Sequence, residues 1–96
     1  MSDVKLDLDE KGKGSFYIEE DGIKVGEMHV SVYGGQLTVY HTEVLPEAEG
    51  KGLSKLLLQA MTAYVREHNM KVIALCPYVL VQFRRHPDQY EDIWIK

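Results

Sequence analysis

Apolar residues alternate with charged ones from Val4 to Leu8, the period of a half-buried strand, and the E-K-G-K-G run beyond them is a turn. Ser15 to Ile18 continues as a second strand, and E-E-D-G turns the chain into a third, Ile23 to Tyr33. Gly34-Gly35 is a two-residue hairpin signal leading to a fourth, Gln36 to Val44. These four stretches predict an antiparallel meander. The period then changes. Leu53, Leu56, Leu57, Ala60, Met61, Tyr64, Val65 and His68 fall on one helical face, and Asn69 suits a left-handed helix stop. Val72 to Leu75 is short and wholly apolar, which predicts a buried strand parallel to its predecessor across a helical crossover. Tyr78 to Arg85 predicts a second helix, stopped by Pro87. The order is ββββαβα, an α/β (mixed α+β) class with a mixed, mostly antiparallel sheet flanked by helices.

At 96 residues the chain is expected to be one domain, residues 1–96, with a single modest core. The net charge of −4 is concentrated early, where Asp3, Asp7, Asp9, Glu10, Glu19, Glu20 and Asp21 outweigh Lys5, Lys11 and Lys13. Binding of nucleic acid through a broad basic surface is therefore not expected. No apolar run approaches membrane-spanning length, and the start M-S-D-V-K-L-D lacks the apolar stretch of a signal peptide. The single cysteine cannot form an internal disulfide, which favours a reducing, cytoplasmic setting. A monomer or weak dimer is expected. No pair of histidines has metal-ligand spacing, and one cysteine argues against structural zinc, so no metal site is expected.

Candidate chemistry centres on Glu49 to Leu58, E-G-K-G-L-S-K-L-L-L. Glycines flank a lysine between an extended stretch and a helix start. Backbone N–H groups of Gly50, Lys51, Gly52, Leu53 and Ser54 converge there, and the helix N-terminus adds partial positive charge. The natural guest is a phosphate or pyrophosphate, with Lys51 and Lys55 as point charges; the plain alternative is a strand-to-helix turn with solvated lysines. Cys76 ends a strand just before Pro77 and a helix, where α/β sites often form. A helix N-terminus favours the thiolate, although most free cysteines are simply small buried hydrophobes. His41 on the fourth strand suits proton transfer near neutrality, with Glu43 on the same face if the strand is regular. It equally fits a half-exposed strand histidine without a role. His29 and His68 read as structural. His86 reads as a helix terminator, although Arg84-Arg85-His86 could meet a phosphate. Tyr90, Ile93 and Trp94 are expected to pack the C-terminal end onto the domain.

The segment H-T-E-V-L-P-E-A-E-G-K-G-L-S-K-L-L-L resembles the acetyl-CoA-binding segment of the GNAT (N-acetyltransferase) superfamily, a strand, x-P, Q/R-x-x-G-x-G/A and a helix. The tail V-I-A-L-C-P-Y-V-L-V-Q-F-R-R-H-P-D-Q-Y is similar to that of small, single-domain GNAT-like proteins with a C-P-[YF]-V motif. The resemblance implies acetyl-CoA as cofactor and an unidentified amine, on a small molecule or a protein, as acceptor. It implies that Thr42 and Val44 offer main-chain groups to the pantetheine arm, where the fourth and fifth strands splay apart. It gives Cys76 two roles, a transient acetyl-cysteine carrier or a group positioning the thioester, and His41 two, base for the amine or for Cys76. Phe83 falls where many such enzymes carry a tyrosine near the cofactor sulfur, and a phenyl ring has no proton to give. Glu49 stands where Gln or Arg is usual, and Ser54 replaces the final Gly or Ala. The function implied is N-acetyl transfer. A CoA-binding sensor or accessory module without efficient turnover is the alternative.

Overall fold

The computed structural model describes residues 3–96, so the sequence reading of the N-terminal stretch falls in part on residues outside it. Strands β1 (Lys5–Leu8), β2 (Lys13–Glu20), β3 (Ile23–Tyr33) and β4 (Gln36–Val44) form the expected antiparallel meander. Local chemistry sets each turn. The Asp9 carboxylate accepts from the N–H groups of Lys11 and Lys13, which folds the first turn back on itself. Asp21-Gly22 and Gly34-Gly35 all have positive φ, the requirement of the tight hairpin turns whose twist matches the strands. A short 3₁₀ turn over Pro46–Ala48 then leads to helix α1 (Leu53–Glu67). α1 carries the chain across to β5 (Lys71–Ala74), which lies parallel to β4, and the sheet order is β1-β2-β3-β4-β5. Asn69 stops α1 with φ of 55°, and the Met70 N–H closes the cap on the Val65 carbonyl. No helix among the described residues is long and apolar enough to cross a membrane.

Three elements differ from the reading of the sequence, β2 among them, since it takes in Lys13, Gly14, Glu19 and Glu20, which the sequence placed in turns. Leu75 is not part of β5 and is exposed, because β5 leaves β4 after Ala74 and nothing covers the next side chain. Pro87 does end helix α2 (Pro77–Arg85), but it also opens a further turn, α3 (Pro87–Tyr90). Proline has no N–H to lose at a first helical position, so the residue that stops one helix can start another.

α1 packs across β2 to β5, and its buried side is wider than one stripe: Leu58 and Thr62 are buried beside Leu57, Met61 and Val65. The extra width faces α2. The core continues into the C-terminal segment, where Ile93 is buried and Trp94 bridges in parallel to Val72. Arg66 ties that segment to α1. Its guanidinium donates to both Asp92 carboxylate oxygens at 3.1 Å and to the Gln89 carbonyl at 2.6 Å.

The Arg66 guanidinium holds the Asp92 carboxyl below its ordinary value of 3.8. Since the folded value is the lower one, the pair stabilises the fold above that ordinary value. Its contribution is lost as pH falls through the depressed value. Both side chains are solvated, which limits the effect to about 0.2–1 kcal/mol. Asp92→Asn should therefore lower Tm by a few degrees at neutral pH, at roughly 4–8 °C per kcal/mol. The difference should shrink in acid, as thermal melts at a series of pH values would read. An equal difference at all pH values would mean that the amide disturbs packing rather than the pair.

Candidate active site

The sheet opens at one place. β4 and β5 are in register from Gln36↔Lys71 to Val39↔Ala74, where the pairing ends. The N–H groups of Leu75 and Cys76 both donate to the Val39 carbonyl, at 3.0 and 2.9 Å. From there β4 runs on to Val44 with β3 alone beside it. Tyr40 is an extra residue on β4, since His29↔His41 is followed by Val30↔Val39. Such a bulge bends and twists a strand, and this one sits where the two strands part. The Leu45 N–H donates to the Val25 carbonyl on the β3 side. Backbone alternation therefore turns the main-chain groups of Val44 and Thr42 toward the free edge. At the head of the gap the Thr42 hydroxyl lies 3.2 Å from Cys76 Sγ. Cys76, 34 residues beyond Thr42 in sequence, is thus brought to the edge of β4 that carries Thr42 and Val44.

The glycine segment closes the other end of that edge. Gly50 and Gly52 are left-handed, with φ of 83° and 75°, and Gly52 caps α1 without a side-chain partner. Among the described residues the N–H groups of Leu53, Ser54 and Lys55 have no backbone acceptor, as expected of a first turn. A concavity of about 230 Å³ lies here, lined by Val44, Ala48, Glu49, Gly50, Gly52, Leu53 and Ser54. A Cβ built at Gly50 or Gly52 would meet nothing within 4 Å, so the loop's outer side is open to a guest. The Lys51 ammonium lies 3.6 Å from Glu20 Oε1. Lys55 instead lines a groove of about 720 Å³ between α1 and α2.

That groove holds what reading the sequence missed. α2 and the residue capping its C-terminus present Tyr78, Gln82 and His86 to it, each four residues on from the last, while Val79 and Phe83 are buried in the core. Burial pushes the Tyr78 hydroxyl above its ordinary value, and the neighbouring Tyr90 and Cys76 push it the same way. It therefore keeps its proton at neutral pH. The available signal was the polar i, i+4, i+8 stripe on α2, with a tyrosine two residues beyond Cys76. Phe83 is fully buried. Its ring stacks on Tyr90 at 4.7 Å between centroids and meets Trp94 edge-on at 5.7 Å. Arg84 is exposed and lines neither the loop concavity nor the groove.

His41 and Cys76 are not brought together. Alternation along β4 sends His41 to the face opposite Thr42, and Thr42 is the residue beside the thiol. On that other face His41 Nε2 lies 3.5 Å from Glu43 Oε2, and its ring stacks on His29 at 5.9 Å. Cys76 precedes the first residue of α2 and is only 1% exposed.

A family model described as GCN5-related N-acetyl-transferase matches residues 15–93. The fold is similar to that of a GCN5-like protein from Staphylococcus aureus, assigned as an N-acetyltransferase and solved by NMR. The two are 29% identical with a TM-score of 0.69, covering 99% of this chain and 91% of that one. It is also similar to a ribosomal-protein-alanine N-acetyltransferase from Brucella melitensis, at 21% identity and a TM-score of 0.62 over 83% of this chain and 64% of that one. An aminoglycoside N-acetyltransferase in complex with CoA shares the fold at 18% identity and a TM-score of 0.54, over 80% of this chain and 66% of that one. At those identities the last two speak for the fold alone. No curated protein matches the chain at a significant level.

Proposed function

The chain belongs to the GCN5-related N-acetyltransferase family, and we propose that it binds acetyl-CoA and transfers the acetyl group to an amine. The observation that carries this reading is the free edge of β4 running from Cys76 to the glycine loop. An extended arm laid along it meets the main-chain groups of Thr42 and Val44 as a neighbouring strand would. A pyrophosphate beyond the arm meets the unpaired N–H groups of Leu53, Ser54 and Lys55 and the positive end of α1. The open, left-handed Gly50 and Gly52 allow close approach. Lys51 adds charge there by leaving Glu20, and Lys55 adds charge from the neighbouring helix groove. Glu49 at the rim opposes an anion, and affinity is lower for it. The structure carrying CoA among the similar folds accords with this assignment.

Acetyl-CoA supplies a thioester whose acyl group passes to a nucleophilic amine while a thiol departs. For that chemistry Tyr78 holds a proton at its hydroxyl, next to Cys76 in the wall of the helix groove. Cys76 acts through its contact with the Thr42 hydroxyl, as a positioning group at the head of the cleft; a covalent acetyl-cysteine needs the buried thiol to become exposed. His41 is the candidate base for an amine arriving on the open face of the sheet. A second reading, a CoA-binding module with little turnover, is favoured by the burial of both Cys76 and Phe83.

Incubation with acetyl-CoA and a panel of amines, following thiol release and intact mass, tests both. Turnover that survives Cys76→Ala supports the positioning role, whereas an acetylated protein that vanishes in that variant supports the carrier. Binding without turnover selects the second reading, and failure to bind CoA overturns both. Gly52→Val should weaken CoA binding by about tenfold or more, since a branched side chain in left-handed backbone distorts the loop at a strain of about 1–2 kcal/mol. Calorimetric affinity equal to that of the native chain would remove the loop from the site.

A further inference from the structure

The open face of the sheet carries a second constellation, on β3 and β4. Glu27 and Glu43 are direct cross-strand partners, and so are His29 and His41, so E-x-H on one strand faces H-x-E on the other. His29 Nε2 lies 3.6 Å from Glu27 Oε1 and 3.4 Å from Glu43 Oε1, and His41 Nε2 lies 3.5 Å from Glu43 Oε2. One ligand atom each from Glu27, His29 and Glu43 falls within 4.8 Å of the others. With metal–ligand bonds of about 2.0–2.1 Å, the edge of a tetrahedral site is about 3.4 Å. The imidazole already stands at nearly that spacing from each carboxylate.

We propose that Glu27, His29 and Glu43 form a binding site for a first-row divalent metal ion of the zinc class, with water completing the coordination. Two features separate the cluster from ordinary surface ion pairing. Carboxylates directly opposite one another on a sheet repel, and a cation between them removes that penalty. Glu27 is also held from behind. The buried Ser15 hydroxyl donates to its Oε2 at 2.7 Å, which leaves Oε1 directed at His29. An outer hydrogen bond that fixes a carboxylate in this way is the usual companion of a metal ligand. Lys24 competes for the cluster, but its ammonium lies 3.5 Å from Oε2, the oxygen already bound to Ser15. Mixed imidazole and carboxylate donors suit zinc or cobalt over calcium or magnesium. His29 and His41 lie twelve positions apart in the chain, so only the strand register makes them neighbours.

Titrating the untagged, full-length protein with Co²⁺ and recording visible spectra tests the site. The expected result is one Co²⁺ per chain, with ligand-field bands of low coordination number, no thiolate-to-metal band, and displacement by Zn²⁺. Glu43→Gln and His29→Ala, both at solvated positions, should lower affinity at least about tenfold while circular dichroism stays native. Ser15→Ala, which removes no ligand, should weaken binding about tenfold. Cys76→Ala should bind Co²⁺ as the native chain does. Absence of stoichiometric uptake, a thiolate band, or equal affinity in Glu43→Gln and His29→Ala would overturn the assignment. None of these readouts depends on acetyl transfer, so they succeed or fail independently of the proposed activity.

Discussion

Tyr78→Phe is expected to lower acetyl transfer about 100-fold while leaving the affinity for acetyl-CoA within about twofold. The change removes one hydroxyl from the groove between α1 and α2 and keeps the ring that packs there. In the native chain burial, Tyr90 and Cys76 together raise the tyrosine's proton affinity, so the acid form persists at neutral pH. The loss should accordingly fall on kcat rather than KM. The alkaline limb of the native rate profile should lie above about pH 10, the ordinary range of a phenol. Single-turnover rates and calorimetric affinities for the two proteins, measured side by side, decide the matter. Equal rates would exclude Tyr78 as proton donor, and loss of binding would make it a wall of the cofactor groove instead.

Phe83→Ala carries the largest expected effect on stability, about 3–5 kcal/mol for an aromatic side chain removed from a closed core. Phe83 has no exposed surface, and its ring touches both Tyr90 and Trp94. Truncation therefore opens a cavity where α2, α3 and the C-terminal segment meet. For a chain of this length each kcal/mol corresponds to roughly 4–8 °C, so Tm should fall by more than about 10 °C. Chemical denaturation and thermal melts would show it. Phe83→Tyr should not raise transfer, because its new hydroxyl would be buried within the aromatic stack. A stable Phe83→Ala protein that lost only CoA affinity would mean instead that the ring faces the ligand.

Much of the architecture was legible along the chain because it rests on local chemistry. The strand alternation, the glycines and Asp21 at the hairpin turns, the apolar stripe of α1 and the stop at Asn69 all act within a few residues. The errors lie where one residue type serves two local purposes. Pro87 ends one helix and begins another, and Leu75 is apolar yet falls just past the point where β5 separates from β4. The breadth of α1's buried side was also hidden, since Leu58 and Thr62 border the groove toward α2, a neighbour that the helix's own residues do not announce.

The site divides along the same line. The sequence by itself determined the glycine loop and the unpaired N–H groups that open α1, because both are fixed within a handful of residues. Tertiary structure alone decided which residues meet across the sheet. The register of β4 and β5, ending at Val39 and Ala74, sets Cys76 beside Thr42 and leaves the edge beyond them free. The bulge at Tyr40 and the β3–β4 register send His41 away from the thiol and into company with His29, Glu27 and Glu43. A strand's alternation is written in its own residues, but its register against another strand is a long-range choice made by the packing of the whole domain.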